Sequence, residues 1–250
     1  MKKALSALLL SFVIAAPAMA ETTFVLPTGT TAQDDFKKFS TDLGLAISYT
    51  PLSPAAPLGD LLPGFDAGVA VTAVKIDKNA SYWKNSITPS SDLPDYLLIP
   101  KVHIQVGLPV IPIDIGYMYA SVPTTDIKLQ GVELKYAILK GGVAMPAVAI
   151  RGAYTKLSGI NVFEMETKSL DLSISKGFLI FTPYAGVGQV WITSTPIGPT
   201  ATLLNLKKEE ISETKGFVGA KLTFFPFLNL VAEAGFAKVN LYSLRLNLHF

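Results

Sequence analysis

The sequence predicts an all-β protein, an antiparallel transmembrane β-barrel of about 12 strands, with 10 strands as the alternative. Three observations support this fold class: an apolar composition, a succession of alternating apolar and polar segments, and a strongly alternating segment at the carboxyl end. Half of the 250 residues are hydrophobic and the mean hydropathy is +0.41, yet no segment after residue 20 is long and apolar enough for a spanning helix. A closed barrel turns apolar side chains toward lipid and pairs every backbone group, so it suits this composition.

The first 20 residues have the three parts of a secretory signal peptide. Two lysines precede the apolar run 4–16, and Ala18-Met19-Ala20 is a small-residue cleavage site. We therefore predict cleavage after Ala20 and a mature chain that begins at Glu21. An uncleaved anchor is the alternative, although the apolar run is short for one. The chain has no cysteine, which excludes a lipid-anchored cysteine, disulfides and thiolate metal sites.

Residues 21–42 are predicted as a lead-in to the barrel, which is assigned to residues 43–250. Residues 32–43 are predicted to form a short amphipathic helix, because Phe36, Phe39 and Leu43 fall on one side of it. The helix is expected at the periplasmic rim or in the mouth of the barrel. A solvated lead-in without a role is the alternative, since so short a helix is marginal by itself.

The rest of the chain reads as alternating segments separated by turn residues, which is typical of barrel strands. The predicted strands are 43–51, 64–76, 97–106, 111–120, 126–139, 147–157, 169–175, 178–193, 217–224, 228–235 and 240–250. Bacterial single-chain barrels have even strand numbers, so a twelfth strand is expected at 22–26, unless one weak segment does not span. In segment 126–139 the first half is out of phase with the second, which predicts a β-bulge at Gln130-Gly131.

The polar faces of these strands supply the candidate functional residues, which we expect to line the lumen. The charged candidates are nearly balanced, six basic against five acidic, and this favours a salt-bridged interior over a narrow selective passage. The lumen-lining candidates are Lys101, His103, Asp114, Glu133, Lys135, Arg151, Asp171, Lys221, Glu233 and Arg245, together with Asp66 and Lys128.

The terminal segment 240–250 has one apolar and one polar face and about the length of a tilted spanning strand. It resembles the carboxyl-terminal strand of bacterial outer-membrane β-barrels, in which an alternating strand that ends in Phe is the assembly signal. The resemblance implies residence in the outer membrane, contact with its lipid, and recognition by the barrel assembly machinery. The residues that carry this signal are Tyr242, Leu244, Leu246, Leu248 and Phe250.

Several function classes have little support in the sequence. The chain has only two histidines, His103 and His249, and spacing places no serine beside either, so we predict no enzymatic activity and no cofactor. Phosphate loops, metalloprotease helices and calcium loops are absent from the sequence, and no metal site is predicted. The formal net charge of +2 is too small to indicate nucleic acid. Aromatic residues are expected to form interfacial girdles, namely Tyr49, Tyr117, Tyr119, Tyr136, Tyr154 and Trp191.

The middle of the chain also resembles a proteobacterial family of outer-membrane proteins of unknown function. The segments that carry this resemblance are 48–52, 54–59, 64–69, 128–139, 170–178 and 182–188. The resemblance implies a barrel and no particular activity. From the predicted barrel fold itself, we expect a narrow channel or a transporter for small or hydrophobic solutes. A structural or surface-interaction barrel without transport is the first alternative, and a lipid-modifying enzyme is a distant second.

Overall fold

The structure, a computed structural model, describes residues 23–122 and 125–250; the predicted signal peptide lies outside the described residues. The helices are α1 (Ala32–Ile47), α2 (Ser81–Lys84) and α3 (Pro199–Leu203). The strands are β1 (Thr23–Phe24), β2 (Gly64–Lys75), β3 (Ile87–Thr88), β4 (Tyr96–Gly107), β5 (Ile113–Ser121), β6 (Lys128–Lys140), β7 (Ala147–Ser158), β8 (Phe163–Ser175), β9 (Phe181–Pro196), β10 (Glu209–Phe225), β11 (Leu228–Phe236) and β12 (Asn240–His249).

Ten strands of the described ranges form one closed antiparallel barrel, in the order β2, β4 to β12, and β12 pairs with β2 to close it. The all-β barrel and the alternative of 10 strands are confirmed, and the first choice of 12 is wrong. The segment near residues 22–26 forms only the two-residue strand β1, which pairs with β3 outside the barrel.

The predicted strand 43–51 is also wrong, because α1 continues through Leu43 to Ile47. The alternation of Leu43, Leu45 and Ile47 suggested a strand. The same stretch also continues the helical spacing of Phe36, Phe39 and Leu43, and burial of this side in the barrel decides between the two periods.

The outer surface of the barrel is an apolar belt. Side chains such as Val132, Leu134 and Tyr136 alternate along β6 with buried residues and are 46–54% exposed. This is the arrangement of a transmembrane barrel, whose apolar band faces lipid while the lumen carries the polar side chains. None of the helices in the described ranges is long and apolar enough to cross a bilayer.

The two ends of the barrel differ in the length of their connections. We call one the turn end: it carries the short connections 108–112, 141–146, 176–180 and 226–227, and the terminal residue Phe250. The other, the loop end, carries the two longest connections, between β2 and β4 and between β9 and β10, together with the short connections 122–127, 159–162 and 237–239. Short turns face the periplasm in outer-membrane barrels, so we expect the turn end to face the periplasm.

The amino-terminal part of the chain fills the interior. Helix α1 lies in the lumen at the loop end, where its apolar side packs on Phe163, Met165, Val190 and Ile192 of β8 and β9. Gly44 faces β9 so closely that a Cβ atom there would collide with the side chain of Ile192. The predicted amphipathic helix is therefore confirmed. Of its two expected positions, it occupies the barrel mouth and not the periplasmic rim.

Residues 48–58, here called the strap, continue from α1 through the lumen to the turn end. They contain no regular secondary structure; eight of the eleven, residues 48–55, are buried, and the last three are partly buried. The chain then turns at residues 59–63 and enters β2 at Gly64. A Cβ atom on Gly59 would meet the carbonyl oxygen of Leu108, so glycine permits this close passage of two backbones.

The presence of α1 explains why the bulge predicted at Gln130-Gly131 is wrong. Leu129 points into the lumen in phase with Glu133 and Lys135, because the loop-end half of the interior is an apolar cluster that surrounds α1. The register of β6 and β7 shifts instead between Ala137 and Leu139, near the turn end.

Candidate functional site in the barrel lumen

Prolines recur at every third residue of the strap, at positions 51, 54 and 57. The residue after each proline donates its backbone N–H to the barrel wall. Leu52 donates to Glu233 Oε2 at 3.0 Å, Ala55 to Ser175 Oγ at 3.1 Å, and Leu58 to Asp114 Oδ1 at 3.0 Å. Because proline has no N–H of its own, this spacing limits the number of donors that the wall must satisfy.

The carbonyl groups of the strap accept hydrogen bonds from cationic wall residues. Lys215 Nζ donates to the carbonyl oxygen of Tyr49 at 3.3 Å, and Arg245 donates to that of Leu52 at 3.3 Å. Lys135 Nζ donates to the carbonyl oxygens of Pro54 and Ala56 at 3.1 and 3.0 Å. The charged groups of the wall thus bind the main chain of the strap.

Two strap hydroxyls extend the same pattern to side chains. Lys101 Nζ donates to Thr50 Oγ1 at 3.1 Å, and Arg151 Nη2 donates to Ser53 Oγ at 3.0 Å. The wall therefore contacts nearly every residue from Tyr49 to Leu58 through a charged or hydroxyl group.

The wall residues also pair with one another. Lys135 lies 2.7 Å from Asp114, Arg151 Nε lies 2.8 Å from Glu133, and Lys215 lies 3.1 Å from Asp171; Arg245 is paired with Asp66. Buried charges that lose a partner cost about 3–5 kcal/mol, so these pairs keep the interior tolerable.

At the loop end two carboxylates of α1 hold the connection between β2 and β4. Asp35 accepts a hydrogen bond from Asn85 Nδ2 at 2.9 Å. Asp42 accepts from Tyr82 Oη at 2.9 Å and from Trp83 Nε1 at 3.2 Å. Burial raises the pKa of Asp42, and these two hydrogen bonds oppose the shift. Burial and the neighbouring Asp42 carboxylate in turn raise the pKa of the Tyr82 phenol.

His103 lies on the lumen face of β4 and is fully buried. Neither of its ring nitrogens has a hydrogen-bond partner among the described residues, and its ring meets that of Tyr49 edge-on at a centroid distance of 5.7 Å. Tyr49 was expected in an aromatic girdle; it is instead a buried residue of the strap. The other girdle residues lie on or near the outer surface, with Tyr117, Tyr136 and Trp191 exposed.

The sequence-predicted lumen residues project inward from the wall, except for Lys128. Lys128 is exposed, because the unbulged register of β6 places it on the same face as Val132 and Leu134. Those that face the interior are Lys101, His103, Asp114, Glu133, Lys135, Arg151, Asp171, Lys221, Glu233, Arg245 and Asp66.

Sequence reasoning missed Lys215 and the strap. Strand β10 begins at Glu209, eight residues before the predicted start, and counting back in twos from Lys221 reaches Lys215. The three-residue spacing of prolines in 51–57 was the signal for an extended segment. The described residues contain no cluster of three or more histidines and carboxylates that could hold a metal ion.

Comparison with known proteins gives matches to solved structures only. No protein-family model and no curated protein matches the chain, so membership of a particular proteobacterial family stays a prediction. Ail, the attachment invasion locus protein of Yersinia pestis, is 13% identical with a TM-score of 0.34, over 75% of this chain and 97% of that one. Neisserial surface protein A is 8% identical with a TM-score of 0.33, over 75% of this chain and 95% of that one.

A further match is a loop-deletion mutant of OmpT, an outer membrane protein of Vibrio cholerae. It is 11% identical with a TM-score of 0.32, over 62% of this chain, and the present chain spans about half of its length, 54%. Identities and superpositions of this size carry no inference about role. The closed antiparallel barrel and its apolar belt make the chain a bacterial outer-membrane β-barrel protein.

Proposed function

We propose that this protein is a structural outer-membrane barrel whose lumen is closed by its own amino-terminal segment and which does not conduct at rest. The observation that carries the proposal is the binding of the strap backbone by the charged wall. Lys135, Arg245 and Glu233, which would otherwise face a passage, each hydrogen bond to the main chain of the strap.

An open narrow channel, the first expectation from the sequence, is less well supported. Hydrogen bonds to charged groups contribute roughly 1.5–3 kcal/mol each. Strap displacement breaks several of them at once, together with the packing of α1 on β8 and β9. The closed arrangement is therefore strongly favoured over a displaced one, unless another molecule replaces the strap.

A non-catalytic role is part of the proposal. A histidine that activates a serine or a water molecule as general base must lie within hydrogen-bond reach of the proton that it removes. His103 makes no side-chain hydrogen bond to the described residues and is fully buried. This supports a structural position for the imidazole, whose ring packs on Tyr49.

Conductance in planar bilayers tests the proposal. Wild-type protein is expected to give no stable single-channel steps. Simultaneous substitution of glycine for Pro51, Pro54 and Pro57 leaves the barrel wall unchanged. It adds backbone freedom to the strap, and ordering the strap then costs about 0.5–1 kcal/mol more conformational entropy per position. This variant is expected to give steps or bursts of current.

Pro199→Gly, in an exposed helix outside the lumen, is the matched control and is expected to stay silent. Folding of each variant is checked by the difference in gel mobility between unheated and heated samples. Stable conductance steps in the wild-type protein would contradict a barrel that is closed at rest and return the narrow channel to first place.

A further inference from the structure

A cavity of about 290 Å³ lies in the lumen at the turn end, beyond the last residues of the strap. Its floor is the strap around Pro54 and Pro57, and its walls include residues of β2, β10 and β12 and of the turns 141–146 and 176–180. The volume is at the lower limit of small-molecule sites, which span about 300–1,000 Å³. Its size and its opening toward the periplasm suit a small ligand.

The charges around the cavity are not balanced. Asp66, the carboxylate of its lining, is already engaged by Arg245 and by Asn247 Nδ2. Lys135 is engaged by Asp114 and by the strap. Lys221 lines the cavity, is partly buried and has no ion pair or hydrogen bond among the described residues. An opposite charge nearby stabilises a partly buried ammonium group, so an anion in the cavity would supply the partner that Lys221 lacks.

Two neighbours of Lys221 add to the basic character of the cavity. His249, on the adjoining wall, has a buried Nδ1 that lacks a hydrogen-bond partner among the described residues. Lys140, at the mouth, lies 4.0 Å from Asp60, and both side chains are solvent-exposed. The hydroxyls of Ser175 and Thr182 also line the cavity and are able to donate hydrogen bonds to oxygen atoms.

We propose that this cavity is a binding site for a small oxyanion, namely a phosphate group, with Lys221 as its principal charge partner. His249 and the two hydroxyls donate hydrogen bonds, and Lys140 attracts the anion at the mouth. Charge-assisted contacts of this kind are short and strong. The phosphate belongs either to a free ion of the periplasm or to the headgroup of a short-reaching phospholipid.

The apolar tips of the neighbouring turns favour a phospholipid headgroup as the source of the phosphate. Val143 and Leu179 are fully exposed beside the mouth of the cavity, and Met145 is 61% exposed. An acyl chain of a phospholipid would find contacts there, while a free phosphate ion would not. The chemistry recognised inside the cavity is the same in both cases.

Calorimetric titration of the full chain in a maltoside detergent tests the site. One arm uses inorganic phosphate to about 10 mM, a range that covers millimolar affinity. A second arm uses dihexanoyl phosphatidylglycerol, with dihexanoyl phosphatidylcholine for comparison. Lys221→Met is expected to weaken binding about tenfold or more, the change that corresponds to one charged hydrogen bond. Lys221→Arg is expected to retain it.

Lys128→Met is the matched control, because it removes one positive charge from the outer face of β6 and none from the cavity. Should Lys221→Met fail to fold, His249→Leu tests the opposite wall. Binding of inorganic phosphate identifies a free ion as sufficient, and binding of phosphatidylglycerol alone identifies a lipid headgroup. Absence of binding in both arms, or equal binding by Lys221→Met and Lys128→Met, would overturn the proposal.

Discussion

Glu233 shows how single residues of the wall hold the strap. Its Oε2 accepts hydrogen bonds from the backbone of Leu52 at 3.0 Å and from Tyr184 Oη at 2.8 Å. One carboxylate thus joins β11, β9 and the strap. Side chains with several partners of this kind contribute more to the fold than an isolated surface pair does.

We therefore expect Glu233→Gln to lower the free energy of unfolding by roughly 1.5–3 kcal/mol, since the amide keeps the shape and loses the charged hydrogen bonds. Urea unfolding in lipid vesicles measures the change. Glu164→Gln, at an exposed position of β8, is the matched control and should stay within about 0.5 kcal/mol of the wild type. Equal effects of the two substitutions would contradict this role of Glu233.

Asp42 gives a residue-scale prediction about pH. Burial raises the pKa of its carboxyl above the ordinary value of 3.8 in the folded protein, so the folded state binds the proton more tightly than the unfolded state. The contribution of Asp42 to stability is therefore largest at low pH and falls as pH rises from about 4 through the folded pKa.

The free energy of unfolding of the wild-type protein, less that of the Asp42→Asn variant, should decrease as pH rises over this window. The comparison cancels other groups that titrate in both proteins. Unfolding measured at several pH values between about 4 and 7 would detect it. A difference that is constant with pH would show that the burial of Asp42 does not control its protonation.

Helix α1 is the element on which closure of the loop end depends. It presents Gly44 to β9, where the side chain of Ile192 occupies the space that a Cβ atom would need. Gly44→Ala should improve intrinsic helix propensity by about 1 kcal/mol. Overpacking against Ile192 should cost about 1–3 kcal/mol and outweigh that gain.

A double-mutant cycle with Ile192→Ala checks the packing of α1 on β9, because alanine lacks all three side-chain atoms that a Cβ atom on Gly44 would meet. The double variant should be more stable than the sum of the single effects predicts, since the added methyl group then has room. Gly142→Ala, where a Cβ atom would meet nothing within 4 Å, is the control and should be nearly neutral. Strict additivity of the two substitutions would argue against the contact.

The outer half of this architecture was predictable from sequence and the inner half was not. Alternation such as that of Val132, Leu134 and Tyr136 is local, so it identifies a strand with one face in lipid. Residues 43–47 satisfy both a strand and a helix period, and only the apolar cluster inside the barrel selects the helix. That cluster includes Leu129 and Leu157, inward apolar residues for which an aqueous lumen gives no reason.

The candidate site was likewise predicted in part. Alternation alone indicated the inward position of residues such as Arg151 and Arg245. Their engagement with the strap depends on contacts such as that of Arg245 with Leu52, two residues that lie 193 positions apart in the sequence. No pattern of short range encodes a partner at that distance, and the proline spacing indicated only an extended segment.

For the whole molecule, the carboxyl terminus completes the barrel. Phe250 exchanges backbone hydrogen bonds with Phe65 at 2.8 and 2.9 Å, and its ring stacks on Phe227 at a centroid distance of 6.3 Å. The last residue thus joins β12 to the start of β2. Its proposed role as part of the assembly signal adds a second reason for an aromatic residue there.

Phe250→Ala is expected to reduce the amount of folded protein in the outer membrane severalfold, and deletion of Phe250 to reduce it further. Outer-membrane fractions, probed for the folded form, measure the loss. Phe236→Ala removes an exposed phenylalanine at the loop end and is the matched control. Equal levels of the two variants would contradict a special role for the terminal residue.

The path of the strap constrains the order of assembly. Strand β1 lies beside the loop-end connection, whereas β2 starts at the turn end, so the intervening chain traverses the whole lumen. A ring sealed beforehand would have to admit a helix of 16 residues through a space lined with paired charges. We therefore expect the β12–β2 seam to form last, around an amino-terminal segment that is already in place.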